Sequence, residues 1–348
     1  MIGVLTSGGD APGMNAAIHA VVKLARRKGL DALGIEAGYE GLMDGRGRVL
    51  RLDEVDPIAG WGGTVLGSAR SAEFRTAEGR AKAARALDTR GLIVIGGNGS
   101  LTGAHLLHAE QGVPVVGIPA SIDNDIACSS TAIGVDTALN TIVSACDRIS
   151  DTARAHRRVF VVEVMGRDCG YLAMASSVAA GADACLFRES GKDEEQILAE
   201  LSEVVLAGFS PQRNKKRILV IKAEGVQVPT QRIVQRLQTV VDGALKGVTV
   251  RATVLGHLVR GGAPSYADRA VAGRLAVAAV SALLSGQSDV MVGWQPWDDD
   301  GEPTRDPSVR LFPLATVLSR TEALLDGTSE ITRRRVAMME AHAGVLAI

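Results

Sequence analysis

The sequence predicts an α/β protein in which parallel sheets are covered by helices on both faces. Short runs rich in β-branched residues alternate along the chain with longer runs of helical period, and this alternation is typical of βαβ units. Glycine is abundant, with 40 residues, whereas aromatic residues make up only 3% of the chain. Tight strand-to-helix turns need glycine, so this composition favours many such turns over an aromatic core. The 348 residues are enough for two domains.

The predicted strands are short apolar runs, several of which end at a glycine or a proline. The first runs into a glycine-rich turn, and the third ends just before Pro119. The predicted strands cover residues 3–6, 91–95, 113–118, 159–164, 217–222, 248–254 and 289–292.

The predicted helices are the amphipathic stretches that separate these strands, together with one helix near the end of the chain. Their apolar residues recur at the spacing of one helical face. They cover residues 16–27, 77–87, 101–111, 136–152, 194–207, 230–245, 268–284 and 329–346.

Charge, cysteine spacing and the length of the apolar stretches indicate which partners and which compartment to expect. With 38 basic and 39 acidic residues, nothing favours nucleic acid or an anionic membrane as a partner. The cysteines, Cys128, Cys146, Cys169 and Cys185, show no C-x-x-C spacing, which favours reduced thiols over disulfides or zinc. The longest apolar stretch, at 275–284, is too short to span a bilayer. We therefore expect a cytoplasmic protein.

Two motifs follow predicted strands and carry phosphate chemistry. GGDAPGMN, at 8–15, follows an apolar run and opens into a helix, so its backbone N–H groups can bind an anion. PASIDND, at 119–125, places Asp123 and Asp125 at the end of another strand, where open α/β sheets bind ligands. Asp-Asn-Asp is also good turn chemistry. A phosphate cradle and paired carboxylates together are what phosphoryl transfer needs.

Four further motifs occur in the order found in a known family. They are GGTVLGSAR at 62–70, TALNT at 137–141, VEVMGR at 162–167 and RATVLGH at 251–257. With them the chain resembles the bacterial type of 6-phosphofructokinase, from residue 1 to about residue 300.

The resemblance implies a phosphofructokinase-like fold of two doubly wound α/β domains with parallel central sheets. Residues 1–134 and 253–303 would form the nucleotide-binding domain, and residues 135–252 and 304–348 the sugar-phosphate-binding domain. The implied activity is the phosphorylation of fructose 6-phosphate by ATP, with Mg²⁺, to fructose 1,6-bisphosphate in glycolysis. The implied assembly is a homotetramer, with a dimer as the alternative.

The resemblance also assigns the chemistry to particular residues. Asp123 matches the general base that takes the proton from the sugar 1-hydroxyl. Ser121 stands where the family usually has threonine and keeps a hydroxyl for the transferring phosphate. Arg70 and Arg167 match the cations that stabilise the charge of the transition state.

The substrate positions implied by the resemblance include several arginines, whose planar guanidinium groups suit phosphate. Arg158 and Arg251 are expected to come from a neighbouring subunit. The full set is Ser121, Asp123, Arg158, Met165, Gly166, Arg167, Glu224, Arg251, His257 and Arg260.

The nucleotide side departs from the family at a metal position. Asn98 stands where the family has an aspartate that binds magnesium, and Asp125 is the other implied metal ligand. Ser71 stands where ATP-using relatives often carry an aromatic residue. The implied nucleotide-binding set is Gly9, Tyr39, Arg70, Ser71, Asn98, Gly99, Ser100 and Gly103.

The donor and the substrate remain open to alternatives. Gly99 and Ala120 occupy positions where pyrophosphate-using relatives typically have aspartate and lysine, so ATP is favoured over pyrophosphate. The alternatives are a kinase for another phosphorylated ketose or a cyclitol, a pyrophosphate-dependent enzyme, and a catalytically weak regulatory homologue, the last because Asn98 lacks the metal-binding charge.

Overall fold

A computed structural model describes residues 1–297 and 300–346 of the chain. The chain divides into two compact units. The first unit comprises Met1–Thr137 and Arg260–Ala323, and the second comprises Ala138–Val259 and the chain from Leu324 onward.

The strands are β1 (Ile2–Ser7), β2 (Ala32–Ile35), β3 (Gly47–Val49), β4 (Leu92–Gly96), β5 (Val115–Pro119), β6 (Arg158–Val164), β7 (Ala184–Leu186), β8 (Arg217–Ala223), β9 (Thr249–Val254), β10 (Val290–Trp294), β11 (Glu302–Pro303) and β12 (Val309–Pro313). The helices are α1 (Met14–Arg27), α2 (Gly38–Met43), α3 (Leu52–Val55), α4 (Ala77–Ala86), α5 (Asn98–Gln111), α6 (Val135–His156), α7 (Tyr171–Ala179), α8 (Glu194–Gly208), α9 (Thr230–Ala244), α10 (Tyr266–Leu284), α11 (Leu314–Leu325) and α12 (Glu330–Leu346).

The first unit is built on a large sheet with parallel strands at its centre. Within the described residues the strand order is β11-β12-β10-β5-β4-β1-β2-β3. Strands β10, β5, β4, β1 and β2 pair in parallel, whereas β3, β12 and β11 pair antiparallel at the two edges. Every residue of β1, β4 and β5 is buried, as expected for parallel strands covered on both faces. The chain reverses its direction of travel across the sheet between β1 and β4, and such a switch point is where ligands bind.

The second unit contains a smaller sheet in which the pairs are all parallel. Its strand order is β7-β8-β6-β9 among the residues that the structure describes. Strand β6 lies between β8 and β9, so the loop after β6 opens beside the loops that follow both neighbours.

The predicted strands and helices are all confirmed, with boundaries shifted by a few residues. The most consequential shift is at α5, which begins at Asn98 rather than at Leu101. Gly97 has an extended backbone and serves as the N-terminal cap, so the glycine-rich segment that follows β4 is already helical. The antiparallel strands β3, β11 and β12 were not predicted. Strands β3 and β11 are very short and exposed, whereas β12 has five residues and is defined by its pairing with β10.

The division into units differs from the predicted domain boundaries at three places, and the smallest difference is that residues 135–137 belong to the first unit. Strand β12 pairs with β10 and buries Val309 and Phe312 against the large sheet, so residues 304–323 belong to the first unit rather than the second. Strand β9 pairs with β6 along its length, so residues 253–259 belong to the second unit rather than the first.

The described part of the chain contains no helix of the length and apolar character needed to cross a membrane.

Candidate active site

The loop between β1 and α1 is the predicted anion cradle, and its backbone turns at glycines. Gly8 and Gly13 have φ values of 86° and 110°, which favour glycine over residues with a side chain. Helix α1 begins directly after Gly13. Ser68 donates a hydrogen bond from its hydroxyl to the carbonyl of Gly8 at 2.5 Å. The N–H of Met14 donates to the carbonyl of Ala11 at 3.2 Å, and the first residues of α1 are buried. The accessible part of the loop is residues 8–10, and anion binding there stays a prediction.

A buried asparagine fastens the neighbouring loop, which carries Arg70. Asn15 is 1% exposed, and its amide donates to the carbonyls of Trp61 and Gly62 at 3.2 and 3.1 Å. Its side-chain oxygen accepts from the backbone N–H of Val65 at 2.8 Å. Arg70 itself is exposed. Sequence reasoning missed the positioning role of Asn15, although a polar residue at an otherwise apolar helix start was a visible signal.

The buried hydroxyl of Thr6 holds the same loop from the end of β1. Its Oγ1 donates to the carbonyl of Gly67 at 2.8 Å and lies 2.8 Å from the hydroxyl oxygen of Thr64. This threonine, which is fully buried in an apolar strand, was also missed as a positioning residue.

The start of α5 opens toward solvent at Gly99. A β-carbon placed on Gly99 would have no heavy atom within 4 Å, and the residue is exposed. Within the described residues, no hydrogen bond of the Asn98 side-chain amide is found. The carbonyl of Ser100 accepts a hydrogen bond from the buried hydroxyl of Tyr39 at 2.6 Å. This bond anchors the first turn of α5 and leaves the side of Gly99 free for a ligand.

Tyr39 and Gly103, two of the predicted nucleotide contacts, pack inside the first unit. The ring of Tyr39 stacks on that of Phe74 with centroids 3.9 Å apart and is 5% exposed. A β-carbon on Gly103 would come within 3.0 Å of both rings. Burial raises the pKa of Tyr39 above its ordinary value, so it stays protonated. The hydroxyl of Ser71, another predicted contact, accepts from the N–H of Phe74 at 3.2 Å. These contacts give all three residues a structural role, and nucleotide binding by them stays a prediction.

The carboxylate loop begins beside the end of β4. The N–H of Ala120 donates to the carbonyl of Gly96 at 3.0 Å, which brings the segment after β5 next to the start of α5. Ser121 donates from its hydroxyl to Oδ1 of Asp125 at 2.7 Å. The structure thus brings Ser121 and Asp125 together in the loop after β5. This loop begins beside the end of β4, the strand that precedes Asn98.

The turn inside this loop is held by the asparagine between the two aspartates. Asn124 has a φ of 49° and is 2% exposed. Its amide donates to the carbonyl of Ser130 at 3.2 Å, and its oxygen accepts from the N–H of Ala132 at 3.1 Å. Asp123 and Asp125 are both partly exposed on either side of it. The same three residues therefore serve as a turn and present two carboxylates.

The buried carboxylate of Asp268 holds the segment at 134–137, which follows this loop. Asp268 is 2% exposed and accepts from the N–H groups of Gly134 and Thr137, each at 2.8 Å. Burial raises its pKa in spite of these hydrogen bonds. Residue Ile133, just before this segment, forms a bridge with Ala120. Asp268 is thus a third positioning residue that the sequence did not reveal.

Arg260 lies against the phosphate loop of the first unit. Its Nη1 donates to the carbonyl of Asp10 at 3.1 Å, and a β-carbon on Gly9 would come within 2.8 Å of the same nitrogen. Glycine is therefore needed at position 9 for this arginine to lie over the loop.

In the second unit the ends of β6 and β8 meet. The N–H of Glu224 donates to the carbonyl of Val164 at 2.9 Å, and the N–H of Gly225 donates to the carbonyl of Gly166 at 3.2 Å. The side chain of Arg167 is 77% exposed, and that of Glu224 is also exposed. The structure thereby groups Met165, Gly166, Arg167 and Glu224, and their role in a sugar pocket stays a prediction.

The two other predicted arginines lie away from this group. Arg158 is the first residue of β6, whereas Met165 follows its last residue, and a strand of 7 residues is about 20 Å long. Arg251 is exposed on the edge strand β9, beside Phe160 of β6. The Nε atom of Arg158 is buried, with no hydrogen-bond partner in the described part of the chain. Within the second unit, Arg158 therefore does not join the residues at the other end of β6. His257 is exposed in the helical turn after β9.

The donor set suits a hydrated magnesium ion. No group of three or more His, Cys, Asp or Glu that could hold a metal is found among residues 1–297 and 300–346. Mg²⁺ in phosphoryl-transfer sites is usually bound by one or two carboxylates, with waters and phosphate oxygens completing the shell. Asp125, in the loop after β5, and the amide oxygen of Asn98, at the start of the helix after the neighbouring strand β4, are donors of that kind.

Comparison with known proteins identifies the family. The model of the family described as Phosphofructokinase matches residues 1–283. The chain is 45% identical over 297 residues to an ATP-dependent 6-phosphofructokinase of Thermotoga neapolitana, covering 84% of this chain and 89% of that protein. It is 46% identical over 295 residues to an ATP-dependent 6-phosphofructokinase of Natranaerobius thermophilus, covering 84% of this chain and 88% of the relative.

A solved structure agrees with these matches. Phosphofructokinase from Saccharomyces cerevisiae superposes with a TM-score of 0.83 at 32% identity over 100% of this chain. The present chain spans about half of that yeast chain, 48% of its length. The α/β fold, the phosphate loop and the sequence matches therefore agree, and the chain belongs to the phosphofructokinase family and is a kinase of that type.

Proposed function

We propose that the protein transfers the terminal phosphoryl group of ATP to the 1-hydroxyl of fructose 6-phosphate. The observation that carries this proposal is the arrangement at the ends of β1, β4 and β5. There the glycine loop, the start of α5 and the Ser121–Asp125 turn follow neighbouring parallel strands. An anion cradle beside a pair of carboxylates is what phosphoryl transfer requires.

The donor side favours ATP over pyrophosphate. The space beside Gly99 is open, so an α-phosphate and the nucleoside beyond it can be accommodated. Ala120 contributes no charge there. The relatives at about 45% identity are named ATP-dependent enzymes, which supports the same donor for this chain.

The chemistry is assigned to residues of the two units. Asp123 would take the proton of the attacking hydroxyl, while Arg70 and Arg167 stabilise the charge of the transferring group. When bound, Mg²⁺ held by Asn98 and Asp125 would supply neutralisation of phosphate charge. We propose that the first unit binds the nucleotide and the second binds the sugar phosphate.

We also propose that the active unit is an oligomer, a tetramer or a dimer. The opposite placement of Arg158 and Met165 along β6 supports this, because Arg158 must reach a sugar pocket other than the one at the far end of its own strand. Its buried Nε also lacks an acceptor within the described residues. The cysteines are free thiols, which supports the cytoplasm as the compartment.

The test is a panel of initial rates with purified protein. ATP and pyrophosphate are each offered with fructose 6-phosphate, other phosphorylated ketoses, a cyclitol phosphate and fructose. The highest kcat/KM is expected for ATP with fructose 6-phosphate. The variant Asp123→Asn serves as the control for contaminating kinases. A preference for pyrophosphate, or equal kcat/KM for fructose and fructose 6-phosphate, would overturn the proposal.

The variant Asn98→Asp tests the catalytically weak alternative. Adding the charge should raise kcat with ATP by about 10- to 1,000-fold, because metal stabilisation of the phosphoryl group acts mainly in the transition state. The Kd for the sugar phosphate should not change, since other residues form that site. If the parent is already fast and the variant no faster, Asp125 and water suffice to hold the metal.

A further inference from the structure

We propose that Asn98 is a modification site, at which the native protein slowly converts its own side-chain amide into a carboxylate. The conversion is a general reaction of asparagine followed by glycine, and asparagine is among the thermally labile residues. Of the five asparagines in the sequence, Asn98 is the one followed by glycine. The proposal concerns the chemistry of the chain itself and needs water as its only reactant.

The attacking nitrogen is available in the folded protein. Gly99 is the second residue of α5, and the first N–H groups of a helix have no intrahelical acceptor. Within the described residues, no backbone hydrogen bond from the nitrogen of Gly99 is found. Glycine also has the backbone freedom that an approach to the preceding side chain requires.

The backbone of Asn98 is held in the first turn of α5, where its carbonyl accepts from the hydroxyl of Thr102 at 3.0 Å, but its side-chain amide is not held. The side-chain amide of Asn98 has no hydrogen bond in the part of the chain that the structure describes, and the residue is partly exposed. Gly99 is exposed, with no heavy atom within 4 Å of a β-carbon position. There is therefore space both for a five-membered ring and for water to enter.

Two other asparagines show the contrast. The side chain of Asn15 makes three hydrogen bonds to the backbone of residues 61–65. The side chain of Asn124 is hydrogen-bonded to the backbone of Ser130 and of Ala132. Holding the amide in place and out of reach of the next nitrogen should protect both.

The reaction balances in two steps. The nitrogen of Gly99, after losing its proton to water, forms a bond to Cγ of Asn98, the bond from Cγ to the amide nitrogen breaks, and ammonia leaves. Water then opens the cyclic imide. Opening at Cγ gives an aspartyl residue, and opening at the main-chain carbonyl gives an isoaspartyl residue. The net change is the entry of water and the loss of ammonia, with no oxidation or reduction.

The carboxylate produced at position 98 would be stabilised by the helix, and it would lie at the proposed metal site. A carboxylate at the first turn of α5 interacts favourably with the positive end of the helix dipole. It would also lie at the strand edge shared with Asp125, so a rise in kinase activity with protein age is expected. That rise rests on the proposed function, whereas the conversion itself does not.

The experiment follows the peptide that contains Asn98 by mass spectrometry. Freshly purified native protein is incubated at neutral and mildly alkaline pH, digested, and compared with the Asn98→Asp variant as the standard for the aspartyl product. We expect the Asn98 peptide to convert, faster at the higher pH, while the peptides of Asn15 and Asn124 stay amidated. Denatured protein, incubated in parallel, gives the intrinsic rate of the sequence.

A matched variant tests the role of glycine. Gly99→Ala fits the open space and should slow the conversion by at least about two- to fivefold, the factor that corresponds to the extra backbone freedom of glycine. If native protein keeps the Asn98 amide over the time in which denatured protein loses it, the start of α5 protects the residue and the proposal is wrong. Conversion without any change in kinase rate would support the modification and would contradict a metal role for position 98.

Discussion

The buried pair Lys222–Glu163 should be worth far more to stability than an exposed pair of the same type. Lys222 is 2% exposed on β8 and opposes Glu163 of β6 in the parallel register. Its ammonium donates to Oε2 of Glu163 at 3.1 Å and to the carbonyl of Ala223 at 3.3 Å. The hydroxyl of Thr230 donates to the same carboxylate oxygen. The variant Lys222→Met removes the charge and keeps a side chain of similar length.

The expected loss of stability depends on the Glu163 carboxylate that remains after Lys222 is replaced. Breaking a buried ion pair by removing one partner costs about 3–5 kcal/mol, because the other charge is left uncompensated. The side chain of Glu163 is 21% exposed and keeps its bond from Thr230. We therefore expect Lys222→Met to cost about 3 kcal/mol, at the lower end of that range. The double variant Lys222→Met/Glu163→Gln leaves no buried charge and should be less destabilised than Lys222→Met alone.

The assay is urea unfolding of the parent, both single variants and the double variant. Midpoints are compared once the m-values have been shown to agree. Lys192→Met is the matched control, because Lys192 lies 2.5 Å from Glu200 with both side chains about 40% exposed (42% and 38%). Its cost should stay below about 1 kcal/mol. If the two single losses at Lys222 and Glu163 simply add in the double variant, the two charges are not coupled and the reasoning fails.

Three further predictions concern the site. Arg251→Ala should raise the KM for fructose 6-phosphate by about 10²-fold, as expected when a charge-assisted bond to phosphate is lost; an unchanged KM in initial-rate assays would contradict this. Asp123→Asn should lower kcat by about 10²- to 10⁴-fold with little change in KM, as loss of a general base requires. Asp268→Asn should cost about 1–3 kcal/mol near neutral pH, because an amide offers one acceptor to the N–H groups of Gly134 and Thr137. Burial raises the pKa of Asp268, so its contribution to the free energy of unfolding is largest in acid. That contribution falls as the pH rises from the ordinary aspartate range to the raised pKa. The free energy of unfolding of the parent should therefore fall with pH over this range relative to that of the variant.

The sequence predicted the central elements of both sheets because their signal is local. Apolar runs such as those of β1 and β5 are buried on both faces, and each is followed by a turn that its own residues specify. The predicted site at 119–125 depends on the same local signal, since a strand end and the residues after it are adjacent in the chain.

Other features depend on distant residues and could not be predicted in this way. The edge strand β12 is identified only by its partner β10. Tyr39 is buried because Phe74 covers its ring and Ser100 accepts its hydroxyl. Lys222, within an apolar run, is explained only by the register that places Glu163 opposite it. Periodicity alone contains none of these pairings.

The two units offer separate means of perturbing the two proposed substrates. Lys222 is the penultimate residue of β8 and lies two residues before Glu224, so Lys222→Met should loosen the proposed sugar pocket within the second unit. Asp268 instead fixes the segment that continues from the Ala120 bridge in the first unit. At temperatures where both variants remain folded, the first should raise mainly the KM for the sugar phosphate and the second mainly the KM for ATP. Lys222 and Asp268 are buried in different units, so the substrate whose KM rises more should differ between the two variants. Equal effects of both variants on both substrates would contradict the assignment of one substrate to each unit.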